Sequence, residues 1–126
     1  MKIKDKIYRY IDNASLLLTE KAGKDEDFYS DKKYVQMAGN TLWNGVLEAL
    51  KHKYPEIGKA KGRPNIDKYM DAVAKDNKKM LKHLQTGYNY MHLYMGYDGD
   101  LSYNTSRTAL EEAKTIINWV LENNNK

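Results

Sequence analysis

The chain of 126 residues contains no cysteine, which excludes a disulfide framework, thiolate chemistry and a cysteine nucleophile. It has only two prolines, Pro55 and Pro64, and they bracket one stretch that reads as loop. No run approaches the roughly 18 consecutive apolar residues that a membrane helix needs. The opening Met1-Lys2-Ile3-Lys4-Asp5-Lys6 mixes charge with isolated apolar residues, unlike a targeting segment. No membrane partner is therefore expected, and the expected location is the cytoplasm. Alternation of apolar and polar residues over the length of a strand is missing too, and so are internal repeats. The one biased segment is the end, Asn123-Asn124-Asn125-Lys126.

What is present describes an ordinary folded chain. Hydrophobic residues make up 41% and charged residues 30%, which separates it from disordered sequences. A chain of this length can close a core without disulfides or metals, so one domain over residues 1–126 is expected. The net charge of +4 raises the question of nucleic acid, because clustered Lys and Arg release phosphate counterions on binding. Only Arg9, Arg63 and Arg107 are arginines, and the lysines are spread along every segment beside Asp and Glu. Mixed charge of this kind fits a solvated surface better than a binding face. The one basic concentration is Lys51, Lys53, Lys59, Lys61 and Arg63, around the loop.

Apolar residues recur every three or four positions along most of the chain. Ile3, Ile7, Tyr10, Ile11, Ala14, Leu17 and Leu18 predict a first helix of about twenty residues. Lys21 to Tyr29 loses the pattern and reads as a connection. A second helix follows, with Ser30 as N-cap, Asp31 in the first turn, and a stripe through Tyr34, Val35, Ala38, Leu42, Val46, Ala49 and Leu50. Gly39 and Gly45 inside it cost roughly 1 kcal/mol each against Ala, which predicts close approach of another backbone there. Tyr54-Pro55-Glu56-Ile57-Gly58 ends this helix, and a loop is expected to run to Pro64. A short helix from Asn65 carries Ile66, Tyr69, Met70 and Val73 and stops near Asp76. The next helix carries Met80, Leu81, Leu84, Tyr88, Met91 and Met95 and breaks at Gly96-Tyr97-Asp98-Gly99-Asp100. The last begins near Tyr103, with Leu110, Ala113, Ile117 and Val120 on one side and Ile116, Trp119 and Leu121 widening the stripe. The expected fold is all-α: a four-helix bundle with one short extra helix between the second and third long helices.

Several strings carry a family resemblance. Tyr29 to Asn40 (YSDKKYVQMAGN), then Trp43-Asn44-Gly45-Val46-Leu47, Tyr88-Asn89-Tyr90-Met91-His92-Leu93 and Gly96-Tyr97-Asp98-Gly99 resemble DUF5618, an uncharacterised bacterial family that is itself similar to HEPN-type helical bundles. The resemblance to the uncharacterised family spans nearly the whole chain, while the HEPN likeness rests on helix order. HEPN proteins include metal-independent ribonucleases and partners of nucleotidyltransferases, often dimeric with the site at the seam between protomers. The ribonucleases carry an Arg, four to six residues, then His. His52, His83 and His92 all lack that upstream Arg, so the resemblance brings no nuclease chemistry with it.

Independently of any family, Tyr88 and His92 stand four apart and share a helix face, with Asp98 just beyond the helix end. His92 would be the acid or base of such a cluster, positioned by Asp98, or a packed histidine satisfied locally. Lys33, Met37, Asn40 and Asn44 share a face of the second helix, where amides need partners. Convergence of Asn40, Asn44, Tyr88 and His92 would make a small polar cavity between helices. No metal site is expected: His83 and His92 are nine apart, and Asp98 with Asp100 lacks the further oxygen ligands of a calcium loop. No cofactor is expected either. Most of the eleven tyrosines fall on helix stripes, among them Tyr10, Tyr34, Tyr69 and Tyr88, whereas Tyr94, Tyr97 and Tyr103 at the turn are candidates for surface contact. Trp43 and Trp119 read first as packing residues, although an exposed Trp43 beside Gly39 would join Tyr94 and Tyr97 as a candidate interface.

Two readings follow. The first is a non-enzymatic bundle acting through protein contacts, as a homodimer or with another protein. The second is a HEPN-like nucleic-acid or nucleotide-associated protein with a site around His92. An apolar patch near Trp43 would favour the first, and a basic groove joining His92 to the Lys59 to Arg63 loop the second.

Overall fold

Helix α1, Ile3–Leu16, starts where the apolar spacing starts and buries Ile7, Ile11 and Ala14. It continues as a π-helical turn, Leu17–Lys21, that buries Leu18. These details come from a computed structural model, which describes residues 2–59 and 66–123. The connection after α1 turns at Gly23, whose φ of 74° suits a residue without Cβ. The carbonyl of Ala22 then accepts the backbone N–H groups of both Ser30 and Asp31, at 3.0 and 2.8 Å.

Helix α2, Lys32–Lys53, is capped by Asp31, whose carboxylate accepts the N–H of Lys33 at 3.0 Å. The cap thus falls one residue later than Ser30, the position expected from sequence, because the Asp31 side chain reaches an otherwise orphaned donor of the first turn. Tyr54 precedes Pro55 and leaves the helix, as expected. Pro55–Gly58 then forms a further single turn, α3, with Pro at its first position, where its missing N–H costs nothing. Loop was expected here; the sequence signal for a break was equally a signal for a restart. The remainder of that stretch, with Lys61, Arg63, Pro64 and Asn65, lies outside the described residues.

Helix α4, Ile66–Asp76, buries Tyr69 and Val73. Asn77 caps α5, Lys78–Gly87, by accepting the N–H of Met80 at 3.1 Å. The same rod continues as a ten-residue π-helical segment, Tyr88–Tyr97, burying Met91 and Met95. Gly99, at φ 67°, turns the chain, and α6, Tyr103–Asn123, completes the bundle. Among the described residues there is no strand, only isolated bridges joining Phe28 to Asp25 and to Ser102.

α2 is the central helix: α1, α6 and the π-helical segment all pack on it. The core closes on Ile7, Leu42, Leu50, Leu84, Met91, Ile116 and Ile117, each wholly buried and each worth about 1.5–3 kcal/mol relative to exposure. Both glycines of α2 sit where the chain admits nothing larger. A Cβ on Gly39 would lie 2.5 Å from the Cβ of Met95 and 2.6 Å from the carbonyl oxygen of Met91, so here α2 touches the backbone of the π-helical segment. A Cβ on Gly45 would lie 2.7 Å from that of Tyr10, which seats α1 against α2.

Candidate functional site

Beyond the Gly39 contact, α2 and the α5 rod leave a groove of about 590 Å³ between them. α2 lines it with Asn40, Trp43, Asn44, Leu47 and Lys51, the α5 rod with Tyr88 and His92, and α4 with Ile66. The α2 residues follow one another at steps of three, one, three and four, which is a single continuous helix face.

Three rings form its aromatic wall. Trp43 and Tyr88 meet nearly edge to face, with centroids 5.3 Å apart and planes at 73°. His92 lies 5.2 Å from Tyr88 and 6.1 Å from Trp43, tilted by 38° and 36°. Trp43 is only 6% exposed. Asn40 and Asn44 are solvent-exposed, and the side-chain oxygen of Asn40 lies over Gly96, where a Cβ would collide with it. Lys51, at the far end, is ion-paired with Glu48 at 3.5 Å, one helical turn back.

The polar geometry is unsettled at one atom. Nδ1 of His92 is buried and has no hydrogen-bond partner among the described residues. An unpaired buried N–H or lone pair costs about 1–3 kcal/mol in desolvation. Tyr69, wholly buried in α4, likewise leaves its hydroxyl unpaired among the described residues. Burial, and secondarily the charge of Glu48, raises the Tyr69 pKa above 10.0. At the rim of α4, the Tyr54 hydroxyl donates to the Asp76 carboxylate at 2.5 Å, tying the end of α2 to the end of α4.

Four of the five residues expected to form a polar pocket, Asn40, Asn44, Tyr88 and His92, line this groove together. Asp98 does not. It is exposed at the end of the π-helical segment, where its N–H bonds the carbonyl of Leu93 at 2.8 Å, and it makes no bond to His92. Positioning of His92 by Asp98 is thus absent, because the segment between them is wound to close on itself. Lys33 and Met37, on the expected amide face, point to solvent instead, Lys33 over the Tyr34 ring at 5.6 Å.

The candidate interface divides in the same way. Tyr94 and Tyr97 are 40% and 78% exposed, whereas Trp43 is a groove wall and offers little area to a partner. Tyr103 is packed edge to face on Tyr29 at 4.5 Å rather than presented at the surface. His83, set aside from metal binding, pairs with Glu112 of α6 at 2.7 Å. No group of three or more potential ligands that could hold a metal occurs among the described residues. No described helix is long and apolar enough to cross a membrane.

Sequence reasoning missed Leu47, Lys51 and Ile66. The spacing from Asn40 to Lys51 was signal enough for the first two; Ile66 comes from another helix and had none.

Fold and groove together define a helical bundle with a partly aromatic, partly amide-lined cleft between two helices. The chain belongs to the family described as "Domain of unknown function (DUF5618)", whose model matches residues 2–122. Among solved structures it is similar to a protein of unknown function from Dyadobacter fermentans. The two are 39% identical, with a TM-score of 0.88 over 94% of this chain and 93% of the other. Among curated proteins, none matches.

Proposed function

We propose that the chain is a non-catalytic binding protein whose ligand is a small molecule seated in the groove between α2 and the α5 rod. The observation that carries this reading is the convergence of Asn40, Asn44, Tyr88 and His92 from two helices upon one cleft. The clefts of bundles, apolar with a few convergent polar groups, are where ligands bind.

A screen of small aromatic and polar molecules by ligand-detected NMR tests the reading. Hits are expected to weaken when Trp43→Leu removes a wall. Hits indifferent to that change, or none at all, would refute it.

A second reading, contact with another protein or a second copy of the chain, is favoured by a different observation. Tyr94 and Tyr97 are exposed on the π-helical segment, and Gln36 bonds the Tyr97 carbonyl at 3.0 Å beside the exposed Met37. The dimeric habit of HEPN-type bundles supports it as well. Light scattering that gives the mass of one chain at every concentration would remove the homodimer. RNA binding, the nucleic-acid form of the His92 reading, predicts salt-dependent affinity; an affinity unmoved between two salt concentrations ends it.

A further inference from the structure

We infer that the ligand of this groove is an uncharged, flat ring bearing an amide-like donor and acceptor, and that the groove discriminates against the same ring carrying an anionic group. The inference rests on the proposed binding role and goes further, to the chemistry of what is bound.

Charge is the first consideration. Of the described lining residues, Lys51 alone carries one, and Glu48 stands 3.5 Å from it. That end of the groove is therefore locally balanced. Among the described residues, a carboxylate or phosphate entering would give up its water without meeting an unpaired cation, and desolvating an unpaired anion is costly.

Shape comes second. Tyr88 and His92, backed by the nearly buried Trp43, line the groove with rings at centroid separations of 5.2 to 6.1 Å. Aromatic faces and edges favour another aromatic ring beyond what its buried area alone would give.

Polarity is the third. Asn40 and Asn44, a turn apart, each carry a carboxamide with both a donor and an acceptor, and neither is bonded to another described residue. The buried Nδ1 of His92 has no hydrogen-bond partner among the described residues. The groove thus presents neutral donors and acceptors beside flat apolar surfaces, the complement of an aromatic amide or lactam.

Four matched probes test this on the full chain by ¹H–¹⁵N NMR: benzamide, benzoate, phenyl phosphate and cyclohexanecarboxamide. Benzamide is expected to bind with a Kd on the order of 1 mM, as suits so small a molecule. It should shift the Trp43 indole N–H and the Asn40 and Asn44 side-chain signals. Benzoate and phenyl phosphate should bind at least about tenfold more weakly, and cyclohexanecarboxamide about fivefold. Asn44→Leu and His92→Phe should each lower benzamide affinity about fivefold; Asn44 is exposed, so that variant keeps the test valid if the other fails to fold.

An anionic probe binding as well as benzamide would overturn the inference and leave the binding role standing. Equal affinity for cyclohexanecarboxamide would overturn its aromatic part. Benzamide affinity unchanged in Asn44→Leu would remove the assigned contacts. If no probe moves any groove signal while the wider screen yields hits that depend on Trp43, the inference falls and the binding role stands.

Discussion

The same two rods are pressed together at one end and held apart at the other. At Gly39, α2 comes so close to the π-helical segment that a single methyl group would strike Met95 and the Met91 carbonyl. Four residues further along α2 stands Trp43, and from there Asn44, Leu47 and Lys51 face a cleft instead of a neighbour. Residue size decides the difference: glycines permit contact between backbones, and a Trp–Tyr pair wedges the helices open. A cleft thus needs no special loop in this bundle, only a change from the smallest side chain to the largest within one helical turn.

The contrast makes the closed end the more fragile. Gly39→Ala adds helix propensity worth about 1 kcal/mol but meets atoms of backbone that cannot yield, so a net loss of about 2 kcal/mol is expected from urea unfolding. A stabilised variant would break the comparison.

Tyr54→Phe probes the far end, where the hydroxyl ties α2 to Asp76 of α4. Because the bond is near the surface, the expected loss is at most about 1 kcal/mol. Burial first, then the Asp76 hydrogen bond and charge, raises the Tyr54 pKa well above 10.0. The folded state therefore holds this proton more tightly than the unfolded one. Its contribution is complete below about pH 10 and fades as pH rises towards the raised value. Melting curves of the wild type from about pH 9 to 11 should decline more steeply than those of Tyr54→Phe.

His92→Phe sharpens the comparison from the other side. Removing an unpaired buried nitrogen should leave stability unchanged or raise it by up to about 0.5 kcal/mol in thermal unfolding, while ligand affinity falls. A loss above about 2 kcal/mol would show that the ring is held by packing and not kept for binding. Smallest of all, Asn44→Ala at the exposed rim should stay within about 0.5 kcal/mol of wild type.

Much of this was legible in the residues. The stripe of Val35, Ala38, Leu42, Val46, Ala49 and Leu50 is wholly buried, because a helix can hide only one face and the spacing names it. Gly39 was readable as a close approach because nothing else explains a residue so unfavourable in mid-helix. The meeting of Asn40 and Asn44 with Tyr88 and His92 was readable as well, since amides on a helix face and a Tyr–His pair both need partners. Trp43 was readable as a packing residue, and it is 6% exposed, but not as a member of the α2 stripe. It follows Gly39 by one turn, and the stripe had to be drawn wider to include it. Asp98 misled because proximity in sequence past a helix end says nothing about direction when the helix is π-wound. Ile66 belongs to α4, and which groove it reaches depends on how α4 packs on α5, a matter no local pattern records.

The ten π-helical residues from Tyr88 to Tyr97 carry one more implication. Each bond in such a stretch closes a wider ring than in an α-helix, so the rod uses up extra chain in every turn. Its angular phase is therefore shifted by the time Gly96 and Gly99 arrive, and both then face α2, at Asn40 and at Lys32 and Gln36. Deleting one residue there would rewind the rod, swing those glycines away, and trade a snug seam for a mismatch, even though every remaining side chain would be the same.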